Sequence, residues 1–147
     1  MRSRIAIQAG TFDLDAEVAA LADGAAGAVA SFIGHVRRDG DLSSLTLEHY
    51  PAMTEAEISG MAKHAASRWP LTGITIIHRI GTLTPGEAIV LVAVAAPHRA
   101  EAFAACEFLV DYLKTQAPFW KEEARGDRRD WVTPRESDAA AAARWRK

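Results

Sequence analysis

The chain has 147 residues and a mass of 15.9 kDa, enough for one domain with a real core and too little for two ordinary ones. Hydrophobic residues make up 49% and charged residues 24%, which excludes a disordered or fibrous chain. A net charge of −2 and a pI near 6.2 argue against a surface built for nucleic acid or anionic lipid and leave room only for a local basic pocket.

From the N-terminus, "RIAIQAG" alternates Ile5 and Ile7 with polar neighbours and predicts a short edge strand. "DLDAEVAALAD" places Leu14, Val18 and Leu21 at helical spacing. "GAVASFIGHV", Gly27 to Val36, is apolar and partly β-branched, a buried strand delivering Arg37 and Arg38 into the charged loop "RRDGDL". "SLTLEHY" has the two-residue period of a half-buried strand and is expected to pair with its predecessor. Pro51 ends it, and Thr54 with Glu57 has the spacing of a capping box opening the helix "TEAEISGMAKHAASRW", with Ile58, Met61 and Ala65 as its apolar stripe.

"GITIIHRIGTL" and "EAIVLVAVAA" read as a central hairpin turning at Pro85-Gly86. The longest helix is predicted over 98–117, with Phe103, Cys106, Leu109, Val110 and Leu113 on its apolar side, ending before Pro118. "FWKEEA" and "RDWVTP" predict a last hairpin across "RGDRR", and "DAAAAARWRK" closes the chain as a helix or frayed tail. The architecture expected is α/β, in one domain over 1–147, with 1–26 and 139–147 its least defined parts.

No apolar run approaches the roughly 20 residues needed to span a bilayer, and the N-terminus lacks the apolar core of a signal peptide. A cytoplasmic protein without membrane or nucleic-acid partners is expected. Cys106 is the single cysteine, so disulfides, CxxC redox pairs and multi-cysteine metal sites are excluded within one chain. It sits mid-helix among apolar residues, where an inert buried thiol is expected. His49 and His78 have no partner at metal-ligand spacing, so core or surface roles are expected for both, with no metal and no bound cofactor. Walker, G-x-S-x-G and H-E-x-x-H motifs are absent.

The remaining candidates are cations. Lys114 falls in the last turn of the long helix, where the helix dipole already favours it. Lys121 follows Phe119 and Trp120, so its amine either lies against aromatic surface with a lowered pKa or extends from a strand into solvent. His98 and Arg99 open the same helix, where free N–H groups and the positive dipole end favour an anion; the alternative is a capping His98 and a solvated Arg99. Arg99 and Lys114 are 15 positions apart in the sequence, about 22 Å along one helix axis. One small substrate does not readily touch both, unless two copies pack this helix antiparallel across a two-fold axis.

"SFIGHVRRD", "LTLEHYPAMTE", "RWPLTGITIIHRIGTLTPGE", "APHRAEAFAACEFLVDYLKTQAPFWKEE" and the later "RESD", in this order, resemble the large, catalytic subunit of molybdopterin synthase. The resemblance implies a hammerhead-type α/β fold with antiparallel sheet. It implies a sulfurtransferase of molybdenum cofactor biosynthesis that acts on cyclic pyranopterin monophosphate to form the molybdopterin dithiolene. The sulfur is implied to arrive as a thiocarboxylate on the C-terminal Gly-Gly tail of a small ubiquitin-like carrier, one carrier at each end of a central homodimer, giving a heterotetramer. Position by position, Lys114 and Lys121 match the two pocket lysines, Arg37 the pocket arginine in preference to Arg38, and His98 with Arg99 the pair reaching across from the second subunit. His35, Val36, Glu122 and Glu123 flank these positions as substrate-binding residues, and Arg135 matches a further basic one. Two other readings are an adaptor that grips a ubiquitin-like tail without chemistry and a different phosphate-substrate transferase using a lysine directly.

Overall fold

The computed structural model describes residues 1–117, 119–132 and 136–146. Two four-stranded sheets divide the strands between them. In the first, β1 (Arg2–Gln8), β4 (Gly73–Arg79), β6 (Ala88–Ala96) and β2 (Ala28–His35) lie in the order β1-β4-β6-β2. In the second, β5 (Gly81–Leu83), β3 (Leu42–His49), β7 (Phe119–Arg125) and β8 (Arg128–Trp131) lie in the order β5-β3-β7-β8. All pairings are antiparallel except β1 with β4.

The two inner strands of the first sheet explain why their sequences are apolar throughout. Val90, Val92, Val94 and Ala96 of β6 join Ile74 and Ile76 of β4 in the main core, together with Ile58 and Met61 of α2 (Pro51–Arg68) and Phe108 and Leu109 of α3 (Arg99–Thr115). The alternate residues Leu91, Ala93, Ala95 and Ile77 pack on the opposite face with Leu21 of α1 (Leu14–Leu21). A strand covered on both faces loses the polar half of its alternation. The Pro85-Gly86 turn forms as expected: the Glu87 carboxylate accepts from the Thr84 backbone N–H at 2.7 Å and from its hydroxyl at 3.1 Å, and Glu87 N–H donates to the Thr84 carbonyl at 3.1 Å. Those bonds hold the Glu87 carboxyl below its ordinary pKa.

Several expectations are corrected. β3 does not pair with β2; it belongs to the other sheet, between β5 and β7, and β2 is an edge strand rather than a buried one. "GITIIHRIGTL" is two strands, because Gly81 takes a φ of +91° and turns the chain from one sheet into the other. The second helix starts at Pro51, which suits a first helical position whose N–H would go unused. Thr54 therefore lies inside α2, and its hydroxyl donates to the Tyr50 carbonyl at 2.8 Å instead of capping. On α3 the buried face is Ala102, Ala105, Cys106, Phe108 and Leu109, while Phe103 points outward with 66% of its surface exposed. The last hairpin turns more tightly than expected, β8 beginning at Arg128. The C-terminal segment forms α4 (Glu136–Ala143) and a 3-10 turn. Arg144 pairs with Glu107 and Asp111 of α3, and the Trp145 indole N–H donates to Asp111 at 2.6 Å.

Candidate functional site

β7 crosses from the end of α3 along β3, and directly paired residues share a face. His49 opposes Phe119, Leu47 opposes Lys121 and Leu45 opposes Glu123. Since Leu47 is buried, Phe119, Lys121 and Glu123 face inward with it, whereas Trp120 and Glu122 face out beside Glu48 and Thr46. Lys121 is half-buried and Lys114, in the last turn of α3, is exposed.

His78 ends the inner face of β4. Its ring stacks on Phe119 with centroids 3.8 Å apart and planes 15° apart, and His49 lies on the same phenyl at 6.0 Å and 29°. Burial first, and then the charges of Lys121, Lys114 and His49, push the His78 pKa down to about 4 against the raising effect of the bond to the Arg79 carbonyl. Both amines therefore act on one buried imidazole, although they come from a helix end and a strand of the other sheet. His78 Nδ1 lies 2.8 Å from the Arg79 carbonyl. A carbonyl only accepts, so Nδ1 carries the proton, and the uncharged ring keeps its lone pair at Nε2. The same logic applies at His49: the Thr54 hydroxyl spends its single proton on Tyr50, so His49 Nδ1, 3.2 Å away, must donate to it.

Arg37 leaves β2 between two clamps. On one side Val36 N–H donates to the Glu87 carbonyl at 2.8 Å and its own carbonyl accepts from Gly86 N–H at 2.7 Å. On the other, Arg125 of β7 donates to the Asp39 carbonyl and carboxylate, both at 2.8 Å, to Asp41 at 3.1 Å and to Glu123 at 2.7 Å. This network raises the Arg125 pKa and lowers that of Asp41. Arg37, Arg38 and His35 are exposed, while the Val36 side chain is part of the main core. Glu123 is thus a support for the Arg37 loop, and Glu122 accepts from Arg129 at 3.4 Å on the outer face of its sheet.

His98 and Arg99 open α3, exposed, and their side chains make no hydrogen bond or ion pair among the described residues. His98 is the N-cap residue by position, but its imidazole does not cap. The segment is held through its backbone: Gly27 N–H donates to the Ala96 carbonyl at 2.9 Å, and a Cβ on Gly27 would overlap the Pro97 carbonyl oxygen. Along the axis of α3, Arg99 stays about 22 Å from Lys114, as the spacing requires. Arg135 and Pro118 lie outside the described residues.

The lysines, Phe119 and a buried imidazole are thus brought together, whereas His98 and Arg99 stand apart. The core or surface role expected for His78 and His49 holds for His78, which is buried; its stacking on Phe119 beside Lys121 had no local signal in the sequence. Cys106 is buried, 3.7 Å from the Val92 carbonyl, and burial pushes its thiol up to about 11.

Amines beside an uncharged imidazole, with the only thiol withdrawn into the core, offer positive charge and proton transfer rather than thiol chemistry. The MoaE protein family matches residues 7–116, and the chain belongs to that family. It is 54% identical over 147 residues to the molybdopterin synthase catalytic subunit of Mesorhizobium japonicum, covering 97% of this chain and 92% of that one. The corresponding subunit of Cereibacter sphaeroides is 51% identical, over 97% of this chain and 99% of its own. Among solved structures, the molybdopterin biosynthesis MoaE protein from Burkholderia ambifaria superposes with a TM-score of 0.85 at 48% identity, covering 99% of both chains.

Proposed function

We propose that this chain transfers sulfur to cyclic pyranopterin monophosphate from the thiocarboxylated tail of a small ubiquitin-like carrier, building the dithiolene of molybdopterin. The observation that carries this reading is that Lys121 shares the inner face of β7 with Phe119, whose ring stacks on the buried His78, and that the charges of Lys121 and Lys114 both bear on that imidazole. A thiocarboxylate is an anion, and its sulfur is handed over only when it bonds to a substrate carbon, displacing the oxygen substituent that carbon carries, and the bond to the carrier carbonyl is then cut. Water makes that cut, leaving sulfur on the substrate and a carboxylate on the carrier. The two lysine side chains hold the thiocarboxylate, and the half-buried Lys121 relays the protons that move. Arg37, on its clamped loop, takes the substrate's anionic group.

The substrate phosphate needs cations beyond these, and His98 with Arg99 supplies them from a second copy of the chain, because within one chain they lie at the far end of α3. Incubation with thiocarboxylated carrier and the pyranopterin should yield dithiolene product, and Lys114→Ala and Lys121→Ala should both suppress it; near-normal turnover by both variants would sink the assignment. Mixing Lys121→Ala with Arg99→Ala subunits should restore about one quarter of the native sites if each site is shared between copies. No recovery in exchanged dimers would place each site within one chain.

A further inference from the structure

The stack between His78 and Phe119 joins the two sheets next to the lysines, and packing alone does not call for a histidine there. The other inward residues of β4 are Ile74 and Ile76, both fully buried. An imidazole in that row gives up hydration that an aliphatic side chain does not have to give up. What the imidazole supplies is a flat ring held by the Arg79 carbonyl and lying parallel to Phe119. Phe119 and Lys121 are two residues apart on β7 and share its inner face. The position of the phenyl therefore sets the height of Lys121 over the end of β4, and so its relation to Lys114.

We propose that His78 is a positioning residue for the two-lysine site: its ring, stacked on Phe119, fixes how deeply Lys121 sits and does so without placing a third cation beside the two amines. The titratable groups whose charge bears on it are Lys121 from β7, Lys114 from α3 and His49 from β3. A protonated residue here would repel both lysines, and an aliphatic one would leave Phe119 free to tilt. This inference rests on the reading of the lysines as the reacting end of the site.

The test uses His78→Leu and His78→Phe in the full chain. Were His78 only a core residue, His78→Leu would keep both fold and activity, since it fills the space without a buried polar group. The expected result is a folded His78→Leu protein with kcat down about tenfold, and KM for the pyranopterin and affinity for unmodified carrier within about twofold of the parent. His78→Phe, which retains a ring to stack, should recover kcat to within about threefold of the parent. NMR titration of the Lys121 amine supplies a readout that needs no turnover: its midpoint should move in His78→Leu and stay in His78→Phe. Unchanged kcat and an unchanged amine midpoint in His78→Leu would overturn the proposal, as would equal damage in both variants. Absence of product from the parent chain would instead refute the sulfur-transfer reading, with the amine titration still deciding the role of His78.

Discussion

The two ends of α3 are built on different plans. At the C-terminal end the cations lie within one chain: Lys121 of β7 shares a face with Phe119, which stacks on His78, and the charges of Lys121 and of Lys114 at the helix end both bear on that imidazole. At the N-terminal end His98 and Arg99 stand exposed, their side chains without a hydrogen bond or ion pair among the described residues, and only the backbone beneath them is fixed, by Gly27 against Pro97. One end is ordered by contacts within the fold; at the other the two side chains stand exposed. Groups that must act on a reacting atom gain from being held in place before substrate arrives. Groups that only hold a flexible anion can be recruited with it.

The sharpest test of that contrast is kinetic. Lys121→Ala should lower kcat by about a thousandfold, the scale of losing a preorganised charged contact to the transition state. Arg99→Ala should act mainly on KM, raising it about tenfold as one charge-assisted contact is lost. If both variants moved the same parameter, the division between a reacting end and a holding end would be broken.

Stability against pH tests the closed end separately. The His78 pKa drops from 6.5 unfolded to about 4 folded, so between those values the unfolded chain binds the extra proton. Stability should therefore be complete above about pH 6.5 and fall on acidification towards pH 4, by about 3 kcal/mol for this one group. Chemical denaturation at pH 7 and pH 4.5 measures the loss, and His78→Leu should remove most of it. A parent chain with a flat profile over this range would mean that His78 keeps its charge in the fold.

Gly27→Ala sharpens the comparison from the open end. The added methyl meets the Pro97 carbonyl, a backbone atom that cannot swing away. A loss of about 2 kcal/mol in thermal or chemical unfolding is expected, with the Lys121 amine titration unchanged. Smallest should be Arg125→Ala. It releases Asp39, Asp41 and Glu123, so the loop carrying Arg37 loosens and KM should rise about threefold at low salt, the difference fading as salt screens the parent's ion pairs.

Much of this scaffold was legible beforehand. The apolar runs of β4 and β6, the Pro85-Gly86 turn and the long span of α3 are strong local signals that tertiary packing only confirmed. The failures have local causes too. β2 and β3 follow one another with compatible periods, and nothing in either strand tells whether the connection stays in its sheet or crosses to the next. On α3, Phe103 and Phe108 both look like core residues; small Ala102 and Ala105 let the helix sit close to the sheet, and the buried face turned towards Phe108. Lys114 and Lys121 were visible as residues, but physical chemistry alone left each split between a solvated and a buried reading. What the lysines share, a buried imidazole reaching across from the other sheet, is a contact between positions 78 and 119 that no local pattern encodes.

The withdrawal of Cys106 into the core has a practical side. With its thiol pushed up to about 11, only about one molecule in ten thousand carries a thiolate at neutral pH. Sulfur-seeking labels added to this chain and a sulfur donor together should mark the donor and leave the chain blank, so that every tagged sulfur can be followed from its source without first engineering the catalyst.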